Sequence, residues 1–461
     1  MTTLTERTTS SAKSAFAEAQ RLHGAGQFAE AEELLRNAVA EWPTDVSLRN
    51  ARGVMFASMK RHVDAVWCYR DALRYDEGAS GVWSNLGNSL TELNQLHSAI
   101  SCHERAISHS SEKDPQLFHN LGVSLAEAGR HAEAVIAFGK ALKLKPDYLA
   151  ARWDRALSLL TLGNYSEAWP DYEVRKHTGQ LPERNLPGKE WDGRAYSRRT
   201  LLLVSEQGFG DLIWMARYLP HVKALGGKLI IECRRELVPI IENMGVVDRV
   251  VLPGTEIDAD LHAHICSIPS FFTTDFASIP SASYLVAQRE RMTKLAPLFE
   301  NGLHRLKVGI VWSGSVTFGK NHRRAQRLFS FLRACALPGV ELYSLQKGPP
   351  VRELTSLPRG APIKDLAPHL QDFADTAAAI THLDLVVMTD SSVAHLTGAL
   401  GKPVWVLLGH NAHWLWLLSR VDSPWYPSMR LYRPRAEGDW DYVFDRVSAD
   451  LMALADQRRP G

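Results

Sequence analysis

The stretch Asn120-Leu-Gly-Val-Ser-Leu-Ala-Glu-Ala-Gly129 decides the fold of the first third of the chain, together with Ala134, Phe138, Ala141 and Pro146 behind it. The frame recurs at intervals of 34 and 35 residues, with glycine at 53, 87 and 122 and alanine at 65, 99 and 134. Small residues at these places let paired antiparallel helices approach closely. Each pair can bury its apolar face only against the next pair, so the sequence predicts an α-helical superhelical solenoid.

The spacing is that of the tetratricopeptide repeat, with Leu-Gly on one helix and then alanine, an aromatic residue, alanine and a closing proline on the next. Degenerate copies around Gly26 and Gly163 extend the array to five copies, from about Ser11 to Thr178. We therefore predict a repeat domain over residues 11–180.

Three polar residues hold one place in the repeat frame. Asn85 and Asn120 directly precede Leu-Gly in consecutive copies, and Asp154 has the same place in the last copy. Side chains at this place face the concave groove, where an amide can bond the backbone of an extended peptide without selecting its sequence. The alternative is that they are merely solvated.

The overall composition restricts the class of protein. A chain of 461 residues with 45% hydrophobic residues has room for two or three packed domains. Lys+Arg 53 against Asp+Glu 51 leaves no basic surplus for coating nucleic acid. No apolar stretch is long enough for a transmembrane helix, and the N-terminus lacks a signal pattern, so we expect a cytoplasmic protein. The five cysteines are scattered without a CxxC pair, which favours reduced thiols over disulfides or a zinc site.

A different pattern begins near Leu181, after which residues 181–200 form a linker with prolines and glycines. Short apolar runs then alternate with helical segments, which predicts α/β structure with parallel sheets. We predict one sheet domain over 201–300 and a second over 301–461. The predicted strands are 201–204, 228–233, 246–252, 307–312, 340–345, 383–388 and 404–408, with helices at 212–225 and 236–244. Ligands in such sheets bind at the carboxyl ends of the strands.

The sharpest motif follows the predicted strand 383–388. A polar turn, Thr389-Asp390-Ser391-Ser392, leads into a helix with His395 in its first turn. The free N–H groups and the positive dipole end of this helix, with the hydroxyls of Ser391 and Ser392, indicate a diphosphate site. His395 could donate to a phosphate or to a leaving oxygen. The alternative is that Asp390 or Ser391 caps the helix and His395 only packs.

From the linker onward the chain resembles the bacterial glycosyltransferases related to the lipopolysaccharide heptosyltransferases, in the form fused to tetratricopeptide repeats. The matching stretches are Glu206-Gln-Gly-Phe-Gly-Asp-Leu-Ile-Trp-Met-Ala-Arg-Tyr-Leu-Pro220, Val308-Gly-Ile-Val-Trp-Ser-Gly314, 390–395 and Ser423-Pro-Trp-Tyr-Pro-Ser-Met-Arg-Leu431. The resemblance implies a GT-B fold of two facing Rossmann-like domains, the second binding a nucleotide-sugar, and inverting transfer without a metal or cofactor. The layout is similar to that of protein O-GlcNAc transferases and flagellin-modifying transferases, whose repeats hold the polypeptide acceptor.

The resemblance also implies roles for single residues. Asp211 falls on the Gly-Asp where the carboxylate is the candidate general base, which deprotonates the acceptor hydroxyl as it attacks. The alternative for Asp211 is an N-cap of a helix starting at Leu212. Gly208 and Gly210 would permit close backbone approach to the donor. Lys320 has the place of a phosphate-binding lysine, which together with the 391–395 helix start would neutralise the leaving diphosphate; a solvated basic loop is the alternative.

Two departures from the family pattern bear on the function. The usual Asp-Thr-Gly turn is Asp390-Ser391-Ser392 here, and the Asp-Trp-Arg-Trp stretch of repeat-fused relatives is His413-Trp414-Leu415-Trp416. The expected function is transfer of a sugar to a Ser/Thr hydroxyl of a protein, with flagellin as the acceptor by analogy. The alternatives are a transferase acting on a glycan or lipid-linked acceptor, and a non-catalytic repeat scaffold whose sheet domains are relics.

Overall fold

The computed structural model describes residues 4–112, 114–179, 181–206, 208–302, 305–319 and 321–458, with the side chains of 4–11 and 301–302 left undescribed. The chain divides into two units, Met1–Leu162 and Gly163–Gly461. The repeat spacing places the boundary near residue 180, later than this division.

The first unit consists of helices joined by short turns, as the repeat spacing predicts. They are α1 (Leu4–Gly24), α2 (Phe28–Glu41), α3 (Val46–Ser58), α4 (His62–Leu73), α5 (Ser80–Glu92), α6 (Leu96–His109), α7 (Pro115–Glu127), α8 (His131–Leu144) and α9 (Leu149–Leu162). Asp45 and Asp114 cap α3 and α7 by accepting the N–H groups of Leu48 and Gln116. The predicted fifth pair is α9 followed by α10 (Tyr165–Tyr172), which falls in the second unit.

In the three central repeats, a glycine of the first helix (α3, α5 or α7) lies against a ring of the second helix. A Cβ built on Gly53 would lie 2.4 Å from Tyr69, and one built on Gly122 would lie 2.5 Å from Phe138. The equivalent contact of Gly87 is with His103, at 2.5 Å. His103 is fully buried, and neither ring nitrogen has a hydrogen-bond partner among the described residues. The imidazole of His103 thus occupies the position that Tyr69 and Phe138 occupy in the neighbouring repeats.

We expect His103→Phe to stabilise the protein by about 1–3 kcal/mol, because it removes two buried unpaired polar atoms while keeping the ring contact. Burial lowers the pKa of His103 to about 4, below the value of about 6.5 in an unfolded chain. The unfolded chain therefore takes up the proton first as the pH falls, and the wild type loses up to about 3 kcal/mol between pH 6.5 and 4.

Urea unfolding of both proteins at pH 7.5 and pH 4.5 measures this difference. His109→Phe, at an exposed histidine of the same helix, is the matched control and should change stability by less than about 0.5 kcal/mol. Equal acid sensitivity of His103→Phe and wild type would contradict the assignment.

The second unit contains two parallel sheets with helices between their strands. The first half comprises α10, β1 (Lys189–Glu190), β2 (Thr200–Val204), α11 (Phe209–Met215), α12 (Leu219–Ala224), β3 (Lys228–Glu232), α13 (Val238–Glu242), β4 (Arg249–Val251), β5 (Leu261–His264), α14 (Pro269–Phe272) and α15 (Arg289–Leu295). The second half comprises β6 (Leu306–Val311), α16 (Leu328–Cys335), β7 (Val340–Ser344), β8 (Ile363–Asp365), α17 (Phe373–Thr381), β9 (Leu385–Thr389), α18 (Ser392–Ala399), β10 (Val404–Leu407), β11 (Met429–Tyr432) and α19 (Trp440–Asp456).

The strand orders are β1-β5-β2-β3-β4 and β11-β10-β9-β6-β7-β8, and every pairing between these strands is parallel. The second order, taken from β6 outward, is the 3-2-1-4-5-6 order of doubly wound nucleotide-binding sheets. The α/β prediction is therefore confirmed, and the core of the second sheet includes Trp312, Phe331 and Phe444.

Several predicted elements differ from those observed. The single helix predicted over 212–225 is two helices, α11 and α12, separated by a 3₁₀ turn at Ala216–Tyr218. Pro220 has no N–H to continue the first helix, so the chain starts a new one. The helix predicted over 236–244 shortens to α13 after a 3₁₀ turn. Strands β1, β5, β8 and β11 were not predicted, because their polar residues interrupt the apolar runs that marked the others.

Candidate functional site

The candidate site lies where the strand order of each sheet reverses. In the first sheet β2 lies between β3 and β5, and in the second β6 lies between β7 and β9. Ligands of doubly wound sheets bind at such points, outside the carboxyl ends of the strands. Helix α11 follows β2 and helix α18 follows β9, and the two helices contact each other.

Gly210 allows this contact. A Cβ built there would lie 3.0 Å from Cδ2 of His395 and 3.6 Å from Cα of Ser392. The family resemblance implied that Gly208 and Gly210 permit close approach of the donor to the backbone. In the structure Gly210 admits the start of α18, whereas Gly208 is exposed and precedes α11 as its N-cap. The close approach of α11 to α18 therefore depends on Gly210.

Asp211 lies in the first turn of α11. Its carboxylate accepts the N–H of Gly208 at 2.8 Å, so the helix begins at Phe209 and not at Leu212. Burial raises the pKa of Asp211, and the carboxylates of Glu206 and Asp390 raise it further. The imidazole of His413 and the Gly208 N–H oppose this by lowering it. Asp211 caps its helix and is at the same time a carboxyl group with raised proton affinity.

His395, in the first turn of α18, is a neutral imidazole at pH 7. Burial lowers its pKa to about 3, although the Asp390 carboxylate opposes the shift. Its ring stacks on Trp416, with centroids 5.2 Å apart and planes 16° apart. The alternative to a polar role was that His395 only packs, and this stacking shows that one face of its ring does pack against an aromatic residue.

A hydrogen-bond chain favours one tautomer of His395. The hydroxyl of Tyr284 donates to the Ile213 carbonyl at 2.8 Å, so its only hydrogen is used. The hydroxyl of Tyr426 lies 3.1 Å from Nδ1 of His395 and 3.4 Å from the Tyr284 oxygen. The shorter distance favours donation to Nδ1, which leaves the proton on Nε2. Nε2 is the ring nitrogen nearer Gly210 and is free to donate.

The turn after β9 holds an unpartnered hydroxyl. Ser391 is the N-cap of α18, but its side chain makes no capping bond, and its buried Oγ has no hydrogen-bond partner among the described residues. The carboxylate of Asp390 pairs instead with Arg324 at 3.4 Å. The predicted capping by either side chain is therefore not observed. Ser392 begins the helix, and Lys320 lies outside the described residues.

Arg217 is a buried cation behind His395 that sequence reasoning missed. It is 2% exposed and donates to the carbonyls of Trp214, Pro280 and Trp425 at 2.7–3.1 Å. Its guanidinium lies 4.5 Å from the ring centre of Tyr426. No carboxylate of the described residues forms an ion pair with it, so its charge is left uncompensated near the site.

The loop after β6 is fixed by residues that the sequence did not single out. Oε1 of Gln346 accepts the N–H groups of Trp312 at 3.0 Å and Ser313 at 2.9 Å. Asn321 donates to the Ser313 hydroxyl at 3.2 Å. These bonds hold the strand end that approaches the turn containing Asp390.

The 413–416 stretch packs inside the unit. Trp414 is 6% and Trp416 is 1% exposed. Trp414 contacts Trp214 at 5.4 Å and Trp169 at 6.2 Å between ring centroids. Both tryptophans are core residues.

The predicted groove residues of the repeats bond to neighbouring first helices. Asn85 donates to Oδ1 of Asn50 at 3.0 Å, and Asn120 donates to Oγ of Ser84 at 3.0 Å. Asp154 lies 2.8 Å from Nε2 of His119. These residues are not merely solvated, since each ties one repeat to the previous one.

The described residues contain neither a metal-binding cluster nor a membrane-spanning helix. No group of three His, Cys, Asp or Glu side chains there could hold a metal ion. None of the described helices has the length and apolar character needed to cross a membrane.

Comparison with known proteins identifies the repeats. Tetratricopeptide repeat models match residues 16–81 and 115–148, so the chain contains tetratricopeptide repeats. Protein FlbA of Caulobacter vibrioides is 26% identical over 446 residues, which are 90% of this chain and 74% of FlbA. The peroxisomal targeting signal receptor of Candida albicans is 39% identical over 74 residues, 16% of this chain and 12% of the receptor.

Two solved structures, MamA and Pseudomonas aeruginosa PilF, each match part of the chain. The match with MamA covers 34% of this chain and 92% of MamA, with 19% identity and a TM-score of 0.32. The match with Pseudomonas aeruginosa PilF covers 39% of this chain and 79% of PilF, with 22% identity and a TM-score of 0.35.

Proposed function

We propose that the second unit is a GT-B-type glycosyltransferase, which moves a sugar from a nucleotide-sugar to a Ser/Thr hydroxyl of a protein held by the repeats. One observation carries the proposal: α11, which holds Asp211 in its first turn, contacts α18, with Gly210 lying against His395 and Ser392 at the start of that helix. A candidate base and a candidate anion site therefore belong to the two helices that meet there.

The donor diphosphate is assigned to the start of α18. The first N–H groups of this helix and the unpartnered Ser391 hydroxyl supply hydrogen-bond donors. The uncompensated charge of Arg217 and the guanidinium of Arg324 favour an anion there. Nε2–H of His395 donates to the leaving phosphate oxygen as negative charge develops on it.

The acceptor is assigned to the side of Asp211. Its carboxylate takes the hydroxyl proton while the oxygen attacks the anomeric carbon, and the C–O bond to the nucleoside diphosphate breaks on the opposite face. This single displacement inverts the anomeric centre. The raised pKa makes the carboxylate a stronger base than an exposed aspartate.

The protein acceptor is proposed from the repeats. The repeat region is similar to part of the peroxisomal targeting signal receptor, which by its name binds a targeting signal. Flagellin is the acceptor by analogy with the flagellin-modifying transferases. A glycan acceptor, or a scaffold without activity, would be distinguished by the experiment below.

Calorimetric titration with a panel of nucleotide-sugars, followed by mass spectrometry of a co-expressed acceptor, tests the proposal. Binding with a sugar-sized mass increase on Ser or Thr is expected. Binding of the donor with sugar transfer only to a glycan would show that the acceptor is a glycan and not a protein. No binding at about 1 mM, where the binding free energy is about −4 kcal/mol, would leave the scaffold interpretation.

Ser391→Ala is expected to weaken nucleoside diphosphate binding about tenfold or more, because a hydrogen bond to a charged group contributes about 1.5–3 kcal/mol. Calorimetry with the nucleoside diphosphate alone measures this. Ser428→Ala is the matched control: its Oγ is also buried without a described partner, but it lies at the amino end of β11, away from the site. Equal affinities of the two variants would remove Ser391 from the diphosphate site.

A further inference from the structure

The first unit has a groove on α4 and α6 that the proposed function does not use. Its volume is about 590 Å³, within the range of about 300–1,000 Å³ typical of ligand pockets. Leu86 and Leu90 of α5 and Cys102 of α6 form an apolar floor. None of the predicted acceptor residues Asn85, Asn120 and Asp154 lines it.

The rim of this groove is basic. Arg70, Arg74, Arg105 and His97 line it, against one acidic residue, Glu77. Arg70 is exposed and forms no ion pair with a described residue, and the pair of Arg74 with Asp71 spans 4.0 Å. Arg105 forms an exposed pair with Glu77 at 3.6 Å, and its guanidinium lies 4.8 Å from the ring centre of Trp83, at the edge of the apolar floor. The positive charge here is therefore local, since the whole chain has a net charge of only +2.

We propose that this groove binds an acidic amphipathic segment of a partner protein. The leucine floor would receive the apolar side chains of the segment, and the arginine rim would pair with its carboxylates. Leu86 and Leu90 are four residues apart on one helix face at the bottom of the groove, so an apolar side chain that enters the groove meets both leucines. The basic rim selects a negatively charged segment by charge complementarity, and the apolar floor disfavours an acidic tail that has no apolar side chains.

The test uses the full chain and three synthetic peptides of about 18 residues, five helical turns each. One carries leucines at helical spacing with glutamates elsewhere. The second replaces every glutamate with lysine, and the third replaces every leucine with serine. Trp83 supplies a local signal, identified as the part of the fluorescence change that Trp83→Phe removes. We expect the first peptide to bind at least about tenfold more tightly than the others, with an affinity that falls as salt rises.

Arg70→Glu and Arg74→Glu should each lower the affinity for the acidic peptide by about tenfold. Arg36→Glu, an exposed arginine of α2 outside the groove, and Asn120→Ala should leave it unchanged. Equal binding of the lysine or serine peptide would overturn the proposal, as would normal affinity in both groove variants or no binding at about 1 mM. Self-association that Arg70→Glu abolishes would assign the groove to a second copy instead. None of these results depends on transferase activity.

Discussion

Replacing Arg175 with methionine is expected to lower the free energy of unfolding by about 3–5 kcal/mol, because it leaves a carboxylate buried without its cation. The side chains of Arg175 and Glu206 are both fully buried. They form two parallel bonds of 2.9 and 3.0 Å, and Glu206 also accepts the N–H of Cys266 at 2.9 Å. Glu206 leads into the turn that positions Asp211, so the same substitution should disturb the site.

Urea unfolding of the full chain measures this loss. Arg420→Met is the matched control, because its pair with Asp422 is exposed and should be worth at most about 1 kcal/mol. The double variant Arg175→Met/Glu206→Gln should recover part of the loss, since no charge is then left buried. A loss no larger than that of Arg420→Met would show that Glu206 does not depend on Arg175.

The helical solenoid could be predicted because its packing rule is local. Gly122 and Phe138 are 16 residues apart, and the two preceding copies make the same contact at the same spacing, so the spacing itself encodes the fold. The central strands were predicted from continuous apolar runs. Strand β5, Leu-His-Ala-His, gives no such run, because its side chains alternate between buried and half-buried.

The candidate site was only partly predictable from the residues themselves. His395 was singled out because it follows a predicted central strand, whereas the role of Asp211 was implied by the resemblance to the heptosyltransferase-related family. Both residues lie in the first turn of a helix that follows a central strand. Arg217 was not predictable, because its partner carbonyl on Trp425 is 208 residues away. Arg175 was missed for a similar reason: the repeat pattern covers it, but its carboxylate partner Glu206 lies 31 residues further along the chain, beyond the repeats.

Asp211→Asn is expected to lower the transfer rate by about 10²–10⁴-fold while nucleotide binding stays within about twofold, because only the proton acceptor is removed. The variant should fold at least as well as wild type. Asparagine can still accept the Gly208 N–H through its Oδ1. Because burial raises the pKa of Asp211 in the folded state, the ionised carboxylate destabilises the fold at pH values above that pKa, and asparagine removes this cost.

The pH profile separates a base from a merely structural carboxyl group. In the wild type the acid limb of kcat/KM should lie above the ordinary aspartate pKa of about 3.9, since activity requires the ionised form. This limb should disappear from the residual activity of Asp211→Asn. Asp441→Asn, at an exposed aspartate in the first turn of α19, controls for loss of a helix-end charge and should retain full activity. Transfer that survives Asp211→Asn with its acid limb intact would assign the base to another residue, and loss of nucleotide binding would place Asp211 on the donor side.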